Sequence, residues 1–362
     1  MSSMIGNTLK ISVFGESHGP AIGVTIDGLP PGESMDYDEI KIQMARRAPG
    51  ADPSSTPRTE PDIPEILSGV LNGRTTGAPL CAVIRNTDTR SGDYDALKRL
   101  PRPSHADYPA HVRYGGFQDV RGGGHFSGRL TAPLTFAGTI CRQILYRRGI
   151  LIGGHVLKIG QVTDRPLDEC NPDKTLLKRL SEEYFAVILE NKKREMQSAI
   201  AAAKAQGNSL GGVLEVAACG LPAGVGDPMF GGVENRLAAA VFGIPAVKGV
   251  SFGAGFGFAD MTGRQANDPW RMENGKIITE TNRNGGVLGG ITTGMPLIMR
   301  AAIKPTPSIA GSQDTVDLIS GKNAKTEVKG RHDPCILPRA LPVLEAVTAF
   351  VLTDLLAQFN LL

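Results

Sequence analysis

An α+β fold, with a helical layer sandwiched between two antiparallel β-sheets as a β-α-β sandwich, is what the sequence predicts, and two kinds of segment predict it. Short stretches alternate apolar and polar residues, as in Leu9-Lys10-Ile11-Ser12-Val13, which suits antiparallel strands with one wet face better than a parallel sheet covered on both. Two long helical segments, 127–148 and 338–359, are apolar all round over part of their length: the first has no charge from Leu130 to Cys141, and the second is apolar nearly all round from Ala346 to Val351. A helix of that kind must be covered on every side, which a sheet above and a sheet below would do.

In chain order, strands are expected at 9–14, 21–26, 65–71, 80–85, 156–162, 212–218, 247–252 and 296–303, where β-branched and aliphatic runs are bounded by turn residues. A surface helix is expected up to Arg47, because Asp36 followed by Glu39 makes a capping box. Another is expected at 194–206, ending at Gly207 in the usual C-terminal way. The charged, helix-rich stretch at about 167–207 reads as a peripheral insertion in one domain covering 1–362.

Composition narrows the function classes. The chain has 362 residues and 39 Lys plus Arg against 36 Asp plus Glu, a balance of +3, so net charge offers no general attraction to nucleic acid or membrane. Glycine is enriched at 45 residues, yet it is interleaved with aliphatic runs, which argues against a disordered or collagen-like chain. The five cysteines are widely spaced, odd in number and free of any Cys-x-x-Cys pair, which argues against a disulfide framework or a zinc site and favours a reducing cytoplasm. Cys335 is expected to be a small core residue. The N-terminus shows no basic stretch leading into an apolar core, so no secretory signal is expected. The most hydrophobic stretch, from Leu341 to Leu356, contains Glu345 and Asp354 and reads as a buried soluble helix.

Chemistry is concentrated in four polar islands. Between Arg102 and Thr131 lie three of the six histidines (His105, His111, His125), four arginines and six glycines, followed at once by apolar sequence. Arginine supplies forked donors for phosphate and carboxylate, histidine moves protons near neutrality, and glycine lets the backbone approach a ligand. Arg121-Gly122-Gly123-Gly124 would deliver these groups to a helix starting near Ser127, whose free N–H groups favour anions. The other islands are Gly15-Glu16-Ser17-His18-Gly19, Lys304-Pro305-Thr306-Pro307-Ser308 and Gly330-Arg331-His332-Asp333-Pro334-Cys335. His105 has Asp107 two residues on as a candidate orienting partner. The proline-stiffened Lys304 segment presents an ammonium and two hydroxyls suited to a phosphate or a flavin edge.

Several motif readings fail. Ser17 and His18 are adjacent, so on a strand they would face opposite ways and could not form a serine–base dyad, and no Gly-x-Ser-x-Gly elbow is present. The run Gly253-x-Gly255-x-Gly257 has Phe258 where a dinucleotide fingerprint needs its third glycine, and no P-loop sequence occurs. An Arg/Gly-loop RNA-binding module would want stacking aromatics and a basic face, whereas aromatics make up 5% and charge is near balance.

Taken in order, the islands resemble the chorismate synthase family. The family's motifs are matched by Phe14-Gly15-Glu16-Ser17-His18-Gly19, His105-Ala106-Asp107-Tyr108, Arg121-Gly122-Gly123-Gly124, Gly285-Gly286-Val287-Leu288-Gly289-Gly290, Lys304-Pro305-Thr306 and Gly330-Arg331-His332-Asp333-Pro334-Cys335, spread over essentially the whole chain. The resemblance implies conversion of 5-enolpyruvylshikimate 3-phosphate to chorismate and phosphate, with reduced FMN (FMNH2) required although no net redox change occurs. It also implies a homotetramer without nucleic-acid or membrane partners. The substrate carries two carboxylates and a phosphate, for which the candidate arginines are Arg47, Arg129 and Arg339. By similarity His18 would protonate the departing phosphate, His105 would protonate or poise the flavin, and Asp333, with Ser17 and Ser127, would assist proton removal. FMN would lie against His125, Phe126, Ser127, Pro245, Ala246, Gly289, Lys304, Pro305, Thr306, Pro307, Ser308 and Arg331.

The chain departs from the family pattern at a few positions. Where the family commonly reads Arg-Ser-Ser-Ala-Arg-Glu-Thr after the glycines, this chain reads His125-Phe126-Ser127-Gly128-Arg129-Leu130-Thr131, which weakens charge and strengthens stacking at the flavin edge. Pro53 replaces a frequent arginine and Pro245 a frequent asparagine. A flavin-binding paralogue without catalysis is therefore the alternative. With no recognisable nicotinamide motif, an external flavin reductant is expected.

Overall fold

The computed structural model describes residues 3–50, 60–87, 98–327 and 333–362. It is an α+β structure whose paired strands are antiparallel. The first sheet has the order Met4–Ile5, Lys10–Gly15, Ala21–Asp27, Leu80–Arg85, Glu65–Ser68. The second runs Val247–Phe252, Leu297–Ile303, Gly212–Cys219, Leu151–Ile159, Val162–Thr163.

The two apolar helices are Thr131–Arg147 and Leu337–Gln358, and they pack on each other. Their close approach is possible because Gly138 has no side chain: a Cβ there would stand 2.2 Å from the carbonyl oxygen of Ala346. The first helix also packs on Ala21–Asp27 and Leu80–Arg85, and the second on Leu151–Ile159 and Gly212–Cys219. Glycine again sets the spacing, since a Cβ on Gly212 or Gly154 would meet Leu337 at 2.7 Å or Leu341 at 3.1 Å. The helices Tyr37–Arg47 and Val233–Phe242 pack against the C-terminal one. That C-terminal helix is long and apolar enough to cross a membrane, but 94% of its apolar window is buried inside the protein.

Several boundaries differ from expectation for local reasons. The 65–71 strand breaks at Gly69, whose φ of +84° turns the chain out to pair Val70–Leu71 with Arg74–Thr75. The 156–162 strand instead runs from Leu151 to Ile159 and turns at Gly160. Its Gly153 and Gly154 look like a break in sequence, yet they make room for Leu177 and Leu341. The helix expected near Ser127 begins at Thr131, after a 3₁₀ turn Gly128–Leu130 in which the Ser127 hydroxyl accepts from the Arg129 N–H. The helix expected at 194–206 is Glu190–Ala205. At the 36–47 helix Asp36 caps the Glu39 N–H, while the Glu39 carboxylate turns away to Arg142. The helices Asp107–Tyr114, Lys174–Leu180 and Val233–Phe242 are additional to those expected. Cys335 is buried, and burial pushes its thiol up to about 12, as suits a core residue.

Charges placed in this core are paired. Asp354, inside the apolar C-terminal helix, accepts the backbone N–H groups of Asn7, Thr8 and Leu9 and pairs with Arg236, pinning the start of the first sheet. Under the second sheet, fully buried His155 sits 3.2 Å from Asp164 and 2.9 Å from Glu215, which also holds Arg300. Asp164 in turn accepts from the backbone of Ile188 and Leu189, tying that segment to the sheet.

Burial alone would lower the His155 imidazole, but its hydrogen bonds to the two carboxylates outweigh burial and raise it above the ordinary 6.5. Its contribution to stability is therefore complete below pH 6.5 and is lost as pH rises through the raised folded value. Asp164 and Glu215 lie below their ordinary 3.8 and 4.5 despite burial, so their contribution is present above those values and lost on acidification. His155→Phe should cost about 3–5 kcal/mol at neutral pH by leaving the two carboxylates short of a cation. Denaturant unfolding at several pH values checks this: the stability difference from wild type should shrink as pH rises, and a difference that stays constant with pH refutes it.

Candidate active site

The loop before Asp107–Tyr114 folds around one carboxylate. Arg102 holds Asp107 by two side-chain bonds, Nε to Oδ2 and Nη2 to Oδ1, both 2.8 Å, and by its backbone N–H at 2.9 Å. His105 Nδ1 lies 2.7 Å from Asp107 Oδ1. Burial works against the charged carboxylate, but the bonds from Arg102 and His105 outweigh it and hold Asp107 well below the usual carboxylate range.

The triple-glycine loop touches both candidate imidazoles. Gly122, Gly123 and Gly124 have φ of +58°, +85° and +54°, a left-handed run that L side chains disfavour. A Cβ on Gly122 would lie 2.2 Å from His18 Nδ1 and 2.7 Å from Ser17 Oγ, and one on Gly123 would lie 3.2 Å from His105 Cε1. The Ser17 N–H donates to the Gly124 carbonyl, which locks the first island onto this loop.

Three arginines, Arg47 and Arg129 buried and Arg339 half-buried, form a cluster with carboxylates of the same chain. Arg47 binds Asp62 at 2.5 Å, the Gly128 carbonyl at 2.7 Å and Thr131 Oγ1 at 3.1 Å. Arg129 pairs with the other Asp62 oxygen and with Glu60 at 3.4 Å, and donates to Asn86 at 3.0 Å. Arg339 binds Asp333 at 2.6 Å and the Arg47 carbonyl at 3.2 Å. Burial draws Arg47 down to about 10 against the pull of Asp62. Asp62 stays below its usual range because Arg47 and Arg129 outweigh its burial.

These groups border a cleft of about 730 Å³, within the range of small-molecule sites. Of the residues singled out in the sequence, His105, Ser127, Asp333, Arg47, Arg129, Arg339, His125, Phe126, Pro245, Ala246, Lys304, Thr306, Pro307 and Ser308 line it. Ser17 and His18 do not, being buried behind Gly122. Pro305 packs toward Gly211, and Gly289 lies away from the cleft between the short strands Val287–Leu288 and Ile291–Thr292. Arg331 and Pro53 fall outside the described residues.

Both apolar helices begin at this cleft, through Thr131 on one and Arg339 on the other, so their N-terminal dipoles add to the cationic field. Lys304 ties two strained positions together: its N–H donates to the carbonyl of Ala246 (φ +73°) and its ammonium to the carbonyl of Ser104 (φ +56°), at 2.9 and 2.5 Å. The buried Thr306 hydroxyl has no hydrogen-bond partner among the described residues. His125 Nδ1 lies 2.9 Å from the Gly15 carbonyl, which can only accept, so Nδ1 carries a proton, and Nε2 lies 2.8 Å from the Ser3 hydroxyl. Phe126, stacked obliquely on Tyr114 at 6.2 Å, separates the cleft from a second, more apolar cavity of about 820 Å³.

Sequence reasoning missed three contributors. Glu60 and Asp62 carry only the signal of two acids in a strandless proline-rich stretch, and Lys248, which lines the cleft near Lys304, stands on a strand where a charge reads as a solvated edge. The arrangement can hold a polyanion on arginine and lysine donors, hold a flat ring against Phe126, and exchange a proton at His105.

The chain is similar to known proteins over nearly its whole length. The family model described as chorismate synthase matches residues 9–357. A chorismate synthase of Thermococcus kodakarensis is 46% identical over 355 residues, covering 97% of this chain and 96% of that one. One of Dehalococcoides mccartyi is 45% identical over 355 residues, covering 98% and 96%. A solved structure titled as a crystal structure of chorismate synthase superposes with a TM-score of 0.77 at 28% identity, covering 98% of this chain and 93% of that one.

The arginine cluster makes its own prediction. Asp62→Asn leaves two buried guanidiniums sharing a neutral side chain and should destabilise by about 3 kcal/mol, as for a broken buried ion pair. Because the Asp62 carboxyl is lowered, the loss should be full at pH 7 and fade as wild type is acidified below 3.8. Denaturant unfolding at both pH values checks it, and equal stability at pH 7 would show that the cluster needs no internal anion.

Proposed function

The chain belongs to the chorismate synthase family and is a carbon–oxygen lyase of the shikimate pathway, eliminating phosphate from 5-enolpyruvylshikimate 3-phosphate to give chorismate, and we propose that the elimination takes place in the arginine-lined cleft. The observation that carries this reading is the convergence of Arg47, Arg129 and Arg339 with His105 and Asp333 on one cavity. A substrate with two carboxylates and a phosphate needs several fixed cations, and guanidinium groups match both anions bidentately.

The family uses reduced flavin, and the residues present suit FMN. The unpartnered Thr306 hydroxyl, Ser308 and the Lys304 ammonium offer donors to a ribityl phosphate, and Phe126 and Pro245 offer apolar faces to a ring system. His125, Ser127, Ala246 and Pro307 complete that wall, with Pro305, Gly289 and Arg331 carried over by resemblance. When bound, reduced flavin would supply transient electron density for the allylic elimination. Substrate therefore becomes chorismate and hydrogen phosphate, the proton lost from C6 balancing the one given to the departing phosphate, with no electron left over.

The chain's own residues then have separate tasks. The arginines orient the substrate. His105, on the cleft wall, holds or donates a proton beside the flavin. By resemblance His18, with Ser17 beside it, supplies the proton for the departing phosphate, although both sit behind Gly122 and not on the cleft wall. Asp333 accepts the C6 proton with Ser127 nearby, and its bond to Arg339 sets the direction of its oxygens.

The remaining features belong to the same reading. Residues 1–362 are one domain in which a helical layer is sandwiched between two antiparallel sheets, with 167–207 as a peripheral insertion. By resemblance the protein assembles as a homotetramer. The reductant comes from outside: after Gly253 the chain enters a 3₁₀ turn, Gly255–Asp260, and not the helix of a dinucleotide site. The location is cytoplasmic.

Turnover should require reduced FMN without consuming it, and oxidised FMN should support none. His18→Ala and His105→Ala should each fold and bind substrate but lose about 10²–10⁴ in rate. Anaerobic chorismate formation, followed by absorbance with substrate-binding titrations alongside, is the test. Full activity in flavin-free enzyme would overturn the reading of the cofactor, and wild-type rates in either variant would overturn that histidine's role.

Asp333→Asn keeps the volume and hydrogen-bonding capacity of the side chain but not its proton-accepting power. It should bind substrate with FMN yet form chorismate about 10²–10⁴-fold more slowly, with a larger isotope effect when C6 carries deuterium. A variant that melts earlier but keeps its single-turnover rate per folded molecule would reduce Asp333 to a turn-pinning residue.

A further inference from the structure

We propose that Asp107 is a positioning residue that keeps a proton on Nδ1 of His105, so that Nε2 is the atom the imidazole offers to the cleft. The inference rests on the reading of His105 as the group that holds or donates a proton at this site.

The shorter of the two polar contacts at Nδ1 decides where its proton lies. His105 Nδ1 and Asp107 Oδ1 are 2.7 Å apart, and two lone pairs at that distance would repel, so a proton lies between them. Arg102 Nη2 stands 3.0 Å from the same Nδ1 and 2.8 Å from the same Oδ1. A guanidinium only donates, so Arg102 competes for the Nδ1 lone pair from 3.0 Å, but the charged carboxylate is closer to Nδ1, at 2.7 Å, and Arg102 Nη2 itself serves that carboxylate at 2.8 Å. Nδ1–H is thereby committed to the carboxylate.

Asp107 is built to stay in this role. Arg102 reaches both of its oxygens with its side chain and one of them again with its backbone N–H, and the carboxylate is almost fully buried. The Arg102 bonds keep it ionised far below neutrality despite that burial, so it remains an acceptor over the whole working pH range. On the other side of the imidazole lies Gly123, whose missing Cβ would have stood 3.4 Å from Nε2 and 3.2 Å from Cε1. The ring is therefore gripped at Nδ1, and no Cβ on Gly123 crowds Nε2. The turn that carries it is held in a strained left-handed conformation at Ser104, whose carbonyl accepts from the Lys304 ammonium.

In turnover one proton is gained or lost at Nε2 while Nδ1 keeps its own, so the atom that exchanges the proton is fixed before substrate arrives. Removing such an outer partner costs about 10–100-fold in function where the histidine is a metal ligand, and a loss of that order is expected here.

Nitrogen-15 NMR of histidine-labelled full-length enzyme, with His105→Ala used to assign the signal, reports the tautomer directly. The wild type should show His105 protonated at Nδ1, and Asp107→Asn should shift the ring toward the Nε2-protonated form. In the flavin-reduced assay Asp107→Asn should lower kcat about 10–100-fold with KM little changed and should move one limb of the pH profile. Asp107→Glu should restore part of both the tautomer and the rate, which a purely structural role would not do. A wild-type ring protonated at Nε2 overturns the proposal without any variant. So does an Asp107→Asn protein that keeps the wild-type tautomer, or one that keeps kcat and its pH profile. Wild-type turnover in His105→Ala would instead refute the role assigned to His105, and the tautomer measurement tells that failure apart from failure of the Asp107 inference.

Discussion

Two helices without a polar face can share one core only if their backbones come close, and here that closeness is granted by a missing methyl group. With a Cβ on Gly138 the helix Thr131–Arg147 would strike the Ala346 carbonyl at 2.2 Å, and the pair would have to separate. Interiors are too densely packed to absorb such a shift locally. The helix carrying Arg46 and Arg47 packs on both members of the pair, so its position depends on the same contact. The site follows from it as well, because Thr131 and Arg339 at the helix starts, and Arg47 on the helix packed against both, border one cleft.

Bringing these ends together puts several cations in a place poor in water, which is useful for holding anions and expensive to maintain without them. The protein answers with its own carboxylates: Asp62 and Glu60 against Arg47 and Arg129, and Asp333 against Arg339. The same solution recurs away from the site, at Asp354 with Arg236 and at Glu345 with Arg46. Buried pairs of this kind add little net stability, yet losing one partner is costly because the other cannot return to water. They restrict where the chain can go more than they strengthen it.

The triple-glycine loop is the second constraint. Its left-handed backbone lets two imidazoles from distant parts of the chain press against adjacent residues, His18 on Gly122 and His105 on Gly123. Glycine reaches this conformation without strain, so what fixes the loop is its contacts. Here the Ser17 N–H bond to the Gly124 carbonyl and the Arg102 clamp on Asp107 supply that support.

Alternation and apolar runs suffice to read most strands and both apolar helices from the chain, because those patterns report burial of apolar surface, the dominant driving force of folding. The motif residues that face the cleft are readable for a related reason: arginine, histidine and glycine at close spacing have few other uses. Other features depend on contacts distant in sequence. Nothing near Gly153 and Gly154 says that they lie in a strand beneath Leu177 and Leu341, and nothing near Asp62 says that it is shared by Arg47 and Arg129. His155 reads as a lone histidine until the folded chain places Asp164 and Glu215 on its two nitrogens. His18 and His105 are equally conspicuous in sequence, yet one is shut behind Gly122 and the other opens on the cleft. Residue types and periodicity are local and carry the chemistry the chain can perform. Which charges neutralise each other, and which imidazole nitrogen is exposed, are pairwise facts that exist only once packing has brought the partners within a few ångströms.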